Sequence, residues 1–279
     1  MILINSWNEI TLDQFIQLKS VEEDDFHSLL SFKMDQLFIL TNTSIEDDLW
    51  NDVDTDKLQE LFEQMDWLKV QPSLNFSRNV LSYHFKELNT ITLGEFIDLE
   101  SLFNINYLLK LPEICSILYR QNRLNEWNHN VIEPRTYNEA ERANEFMDVK
   151  ITEVFGIIQA YLTFKKKFID GFENLFEEPI TEQEEEEAPE PLTAEDFEAV
   201  RKEKAVVKWN WERIIFHFAQ THTLTFDQVT ELKLIFVFNQ LSMMKDLKLD
   251  YPLKFAGCSL MALFASVFVA INPSSSVPS

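Results

Sequence analysis

Ile10-Thr11-Leu12-Asp13-Gln14-Phe15-Ile16-Gln17-Leu18 returns as Ile91-Thr92-Leu93-Gly94-Glu95-Phe96-Ile97-Asp98-Leu99, and this phrase decides the fold. Thr11 and Thr92 stand where a helix N-cap hydroxyl belongs. Gln14 and Glu95 lie three residues on, the spacing of a capping box. The isoleucine before each threonine can staple onto the first turn, and Phe15 with Leu18, or Phe96 with Leu99, then share one helical face. A looser third copy reads Leu224-Thr225-Phe226-Asp227-Gln228-Val229-Thr230-Glu231-Leu232. Capping boxes open many unrelated surface helices. Seven identities over the eleven positions from Ile10 to Ser20, matched from Ile91 to Ser101, also fit an old duplication.

Working outward, Phe26, Leu29, Leu30, Leu37 and Phe38 line one amphipathic helix. Leu58, Leu61, Phe62, Met65 and Leu68 line another behind Asp54 or Thr55 as cap. Leu74 to Phe85 alternates in character and reads as a short β-ribbon. Pro112 opens a helix with Ile114, Cys115, Ile117 and Leu118 inward, and Asn122 to Pro134 reads as a polar loop. Helices are expected over Tyr137 to Met147 and over Ile151 to Phe176. The second of these carries Phe164, Phe168 and Phe172 among many apolar residues, which predicts burial on more than one side, in the core or beneath a partner.

Glu177 to Pro191 breaks the pattern with clustered acids and three prolines. It predicts a disordered acidic linker, either a solvated tether or a polyanion mimic for a basic protein. A second helical module starts at Leu192 and passes through Trp209, Trp211, Ile214, Ile215 and Phe218 to Leu-Ile-Phe-Val-Phe-Asn-Gln-Leu-Ser-Met-Met-Lys-Asp (234–246). From Phe255 onward the chain is uncharged. Phe255 to Ile271 sits at the lower length limit of a membrane span, with one flanking lysine and no aromatic belt; a buried or partner-docking segment is the favoured reading. The linear partition is a helical domain over 1–176, an acidic linker over 177–191, a helical module over 192–254 and an apolar tail over 255–279.

Composition narrows the function. Four glycines in 279 residues leave little material for tight hairpins or phosphate-cradling loops, so the expected class is all-α. A net charge of −23 disfavours nucleic acid and anionic membrane as partners and favours a basic protein. Cys115 and Cys258 fit neither a metal nor a redox spacing, and the amino-terminal residues do not read as a secretory leader. His217 and His222 are five apart and turn away from a common helical face, and His27, His84 and His129 are isolated, so no metal site is expected. GxSxG, P-loop, HExxH and GxGxxG motifs are all missing. No catalytic residue and no cofactor is assigned. The expected function is protein binding, with self-association left open.

Six tryptophans offer anchors for a partner or for the core. Trp209 and Trp211 cannot face the same way on one helix, so one of them belongs at an edge. These two, with Phe164, Phe168 and Phe172, form the candidate partner-binding set.

One resemblance adds to this reading. Trp7-x-x-Ile10-Thr11-Leu12-x-x-Phe15, its second copy, Ile117-Leu118-Tyr119-Arg120, the Asn/Glu/Arg-rich helix, the aromatic helix and Trp211-x-x-Ile214-Ile215-Phe216-x-x-Ala219 occur in that order. The series resembles virion-assembly proteins of tailed bacteriophages, particularly tail assembly chaperones of phages infecting Bacteroidetes. It touches most of the chain up to Asp250; the linker and the tail have no counterpart. The resemblance implies a non-enzymatic protein of the host bacterial cytoplasm that coats the tape measure protein during tail assembly. Two other readings stay open, a structural or cargo component of the virion and a tail-anchored membrane adaptor.

Overall fold

A computed structural model describes residues 4–21, 29–44, 46–47, 50, 53–124, 130–132, 139–172, 175 and 210–247. The acidic linker, residues 192–208, Trp209 and the apolar tail lie outside the described residues.

The fold is mainly helical with a small antiparallel sheet. Its elements are α1 (Leu12–Ser20), α2 (Leu29–Thr41), α3 (Thr55–Gln64), β1 (Asn79–Val80), β2 (Tyr83–Phe85), α4 (Leu93–Asn106), α5 (Leu111–Leu118), β3 (Tyr119–Arg120), β4 (Asn122–Leu124), β5 (Asn130–Ile132), α6 (Glu139–Phe146), α7 (Ile151–Val154), α8 (Ile157–Asp170), α9 (Asn210–His222), α10 (Phe226–Thr230) and α11 (Leu234–Asp246). Contacts group the chain into two units, each drawn from two stretches of sequence. Unit 1 comprises Met1–Lys86 with Ile105–Leu162, and unit 2 comprises Glu87–Asn104 with Thr163–Ser279.

The repeated phrase has the same structure in both units. Thr11 accepts the Gln14 N–H at 3.3 Å while Gln14 Oε1 accepts the Thr11 N–H at 3.1 Å. Thr92 and Glu95 repeat the exchange at 3.3 and 2.9 Å. Ile10, Leu12, Phe15 and Leu18 are buried, as are Ile91, Leu93, Phe96 and Leu99. Each phrase also makes one antiparallel bridge, Thr11 to Lys150 and Thr92 to Lys233. The Leu12 and Leu93 N–H groups donate to Val149 and Leu232 carbonyls, each at 2.8 Å, and the Ile151 and Leu234 N–H groups return to Ile10 and Ile91 at 3.0 and 2.9 Å. Two helix starts therefore lock each other by their otherwise orphaned donors.

The partner strand of this lock is a second repeat that the sequence reading did not isolate. Val149-Lys150-Ile151-Thr152-Glu153-Val154-Phe155 matches Leu232-Lys233-Leu234-Ile235-Phe236-Val237-Phe238. The short helix before it matches too, since Phe146 and Val229 are both buried and their carbonyls accept from Val149 and Leu232 at 3.0 and 3.1 Å. The third copy of the phrase also opens a helix. Its capping box forms between Thr225 and Gln228, and α10 ends after five residues and leads into the Lys233 bridge.

Other expectations are refined. The ribbon is present as β1 and β2, and β3 completes a sheet of order β1-β2-β3. The loop expected over 122–134 contains the β4–β5 hairpin instead. The helix expected over 151–176 breaks at Phe155-Gly156. The β1–β2 hairpin turns without glycine because Leu81 takes φ 53°. Asn42 (φ 50°) and Thr223 (φ 55°) close α2 and α9 in the same way. The Thr43 and Leu224 N–H groups reach back to Phe38 and Ala219, each at 3.0 Å, so these are Schellman ends built without their usual residue.

Candidate functional site

Cys115, Tyr119, Arg120, Arg142, Glu100 and Lys165 are buried in the cores of their units. In unit 1 the Cys115 thiol is fully buried in α5, and burial with the Glu113 carboxylate beside it pushes its pKa well up, the reverse of a nucleophile's tuning. Burial raises the Tyr119 phenol far above its ordinary range, and its hydroxyl donates to the Ser77 carbonyl at 2.6 Å. Arg120 Nη1 and Arg142 Nε both donate to the Ser116 carbonyl, at 2.6 and 3.0 Å. Two buried guanidiniums thus hold the C-terminal end of α5, where the helix dipole favours positive charge. In unit 2, Lys165 Nζ meets Glu100 Oε2 at 2.7 Å with both side chains almost wholly buried. Among the described residues, no cluster of three His, Cys, Asp or Glu side chains has metal-holding geometry. These arrangements satisfy buried charge and polar groups within a core.

The aromatic residues singled out from sequence mostly face inward. Trp211 is buried against Phe96, with ring centroids 5.7 Å apart. Phe168 and Phe172 are buried and stack with each other at 5.0 Å and with Phe238 at 4.9 and 5.5 Å. Phe164 is half-buried beside Phe168, at 5.7 Å. The structure brings Phe164, Phe168 and Phe172 together as the core of unit 2. Of the two alternatives for the aromatic helix, burial in the core is the one realised. His217 is half-buried, its Nε2 3.4 Å from the Thr221 hydroxyl and its ring beside Phe218.

Two apolar surfaces remain open. In unit 1, α2 is apolar around most of its circumference, yet only Leu37 and Leu40 are buried and Leu29 and Leu30 are more than half exposed. A helix greasy on every side ordinarily sits in a core. Beside it lies a cleft of about 240 Å³ lined by Leu29, Phe32, Lys33, Gln36, Phe62, Met65, Asp66, Leu68 and Lys69. In unit 2, α9 to α11 expose Phe216 (52%), Phe226 (57%), Ile235 (41%), Phe236 (41%), Met243 (45%) and Leu247 (62%). Phe216 and Phe226 touch edge to face at 6.4 Å, so they form one aromatic knob. Sequence reasoning missed these residues. The available signal was the density of apolar residues in 234–246, more than one buried helical face accommodates.

No helix among the described residues is long and apolar enough to cross a membrane. Comparison with protein-family models, curated proteins and solved structures found no match to the chain.

Proposed function

We propose that this chain is a non-enzymatic protein-binding protein, a tail assembly chaperone that holds the tape measure protein of a tailed bacteriophage soluble until tail tube forms around it. The observation that supports binding is the number of exposed apolar side chains on α9 to α11. Exposing Phe216, Phe226, Phe236 and Met243 on an ordered helical module costs solubility, and such patches commonly mark interaction sites. The sealed thiol, phenol and ion pair agree with a role that makes and breaks no covalent bonds. The assignment to tail assembly rests on the ordered series of sequence phrases. An acidic helical body is well suited to shielding amphipathic helices from one another.

The test is co-expression with the tape measure gene of the same genome. The expected result is a soluble tape measure protein that co-purifies with this chain. A tape measure protein that stays insoluble, with this chain recovered as a stoichiometric component of mature particles, would replace the reading by that of a virion structural protein.

A further inference from the structure

The helix starts that follow Lys150 and Lys233 occupy equivalent positions after equivalent bridges, and the difference between them identifies a docking surface. In unit 1 the outward row of this helix, Glu153 and Gly156, is covered by the chain's own Leu74–Ser77. The Ser77 N–H donates to the Glu153 carbonyl at 2.8 Å and the Gly156 N–H donates to the Asn75 carbonyl at 3.2 Å. The approach is so close that a Cβ on Gly156 would overlap the Leu74 carbonyl oxygen. Covering by backbone works there because the helix breaks at Phe155-Gly156. In unit 2 the matching positions are Phe236 and Asn239, followed by Met243, and Ile235 stands where unit 1 has Thr152. This row is exposed, and it is more apolar than its covered counterpart.

We propose that Ile235, Phe236, Met243 and Leu247 form the docking row for an amphipathic helix of another protein, apolar on one face and carrying lysine or arginine on the other. The proposal rests on the protein-binding reading above and specifies its surface. The helical form follows from α11 itself. It runs unbroken from Leu234 to Asp246, so its backbone groups are engaged within the helix and a strand has nothing to pair with. Phe236, Met243 and Leu247 recur at i, i+7 and i+11, a stripe roughly 17 Å long that a second helix matches knob for knob. The charge follows from the chain's balance and from a hollow at the start of the module. Around the row itself Glu231 and Asp246 are balanced by Lys233 and Lys245, so the sign comes from the chain as a whole, at −23, and from the start of the module. Asp227 and Glu231 line a shallow hollow of about 440 Å³ with Leu224, Gln228 and Leu232, and no basic side chain lines it. An aliphatic stem ending in a cation fits such a hollow.

The test uses the full-length chain and two labelled synthetic helices of about 18 residues with the same leucine face, one with lysine and one with glutamate on the other face. The lysine peptide should bind, and the glutamate peptide at least about tenfold more weakly. Phe236→Asp with Met243→Asp should weaken the lysine peptide at least about tenfold. The double variant is more acidic, so attraction by net charge alone would strengthen instead; undiminished binding overturns the proposal. A photo-crosslinking phenylalanine analogue placed at position 236 of the otherwise unaltered chain reads the occupant without the double variant. Cross-links to the lysine peptide support the proposal; cross-links confined to the chain's own residues or to a second copy overturn it. Tape measure protein that still co-purifies with the double variant removes the row and leaves the protein-binding reading standing. A row that binds the lysine peptide in a chain that captures no tape measure protein does the reverse.

Discussion

Thr92 pairs with Lys233 across a single antiparallel bridge, as Thr11 pairs with Lys150, and in both places the threonine caps the helix it opens. Thr92→Ala leaves the Glu95 N–H without its acceptor and should cost about 1 kcal/mol, with Thr11→Ala costing a similar amount. Urea denaturation checks both, and Thr92→Ser should recover most of the loss because the hydroxyl does the capping.

Glu100 and Lys165 make the second test. Lys165→Ala strands a buried carboxylate and should cost about 3–5 kcal/mol, whereas Glu100→Leu with Lys165→Met should be near neutral or stabilising. If the single and double variants lose equal stability by urea denaturation, the pair is not held against a desolvation cost.

Gly156 is fixed by close approach and not by backbone angle. Its missing Cβ would stand 2.6 Å from the Asn75 carbonyl carbon and oxygen, and neither backbone atom can swing aside. Gly156→Ala should therefore destabilise by about 3 kcal/mol. Gly171→Ala, whose Cβ would meet the Phe168 carbonyl at 3.3 Å, should stay within about 1 kcal/mol. Thermal melts of the two variants, read side by side, give the contrast.

Thr223 is an exposed β-branched residue at φ 55°. Thr223→Gly removes a steric penalty of about 1–2 kcal/mol and adds about 0.5–1 kcal/mol of backbone entropy cost. The variant should gain roughly 0.5–1 kcal/mol, seen as a higher urea midpoint; a lower midpoint would mean that the threonine side chain contributes more than its strain.

Cys115 gives a pH dependence. Its thiol pKa is raised in the fold, so between the unfolded value near 8.5 and the folded value the unfolded chain has lost a proton that the native chain keeps. Stability should fall as pH rises above about 8.5, and Cys115→Ala should flatten that slope. In a Cys258→Ser background, a thiol reagent should leave the native protein unmodified at pH 8.5 and react fully after denaturant is added. Rapid native labelling would show that α5 opens.

The helical class, the capping boxes and the positions of α1, α4 and α10 were legible because each rests on local chemistry. Thr11, Thr92 and Thr225 need only a side chain three residues away to declare themselves. What stayed hidden depends on residues far apart in the chain. The Val149–Phe155 and Leu232–Phe238 phrases share only Lys, Val and Phe, and their kinship shows in the bridge each makes. Trp211 and Phe236 illustrate why the exposed face was missed. Both are aromatic and sit in apolar helices, and only packing decides that one meets Phe96 while the other meets solvent. Leu81 and Thr223 escaped notice because nothing in a leucine or a threonine announces a left-handed backbone.

The two bridges also set a timetable for synthesis. Thr11 and Lys150 are separated by 139 positions, and Thr92 and Lys233 by 141. At roughly 5–20 residues per second, each first-made helix waits about 7–28 s on the ribosome before its locking strand emerges. The second wait begins before the first has ended, so two half-built cores with identical Ile-Thr-Leu entrances coexist on one nascent polypeptide.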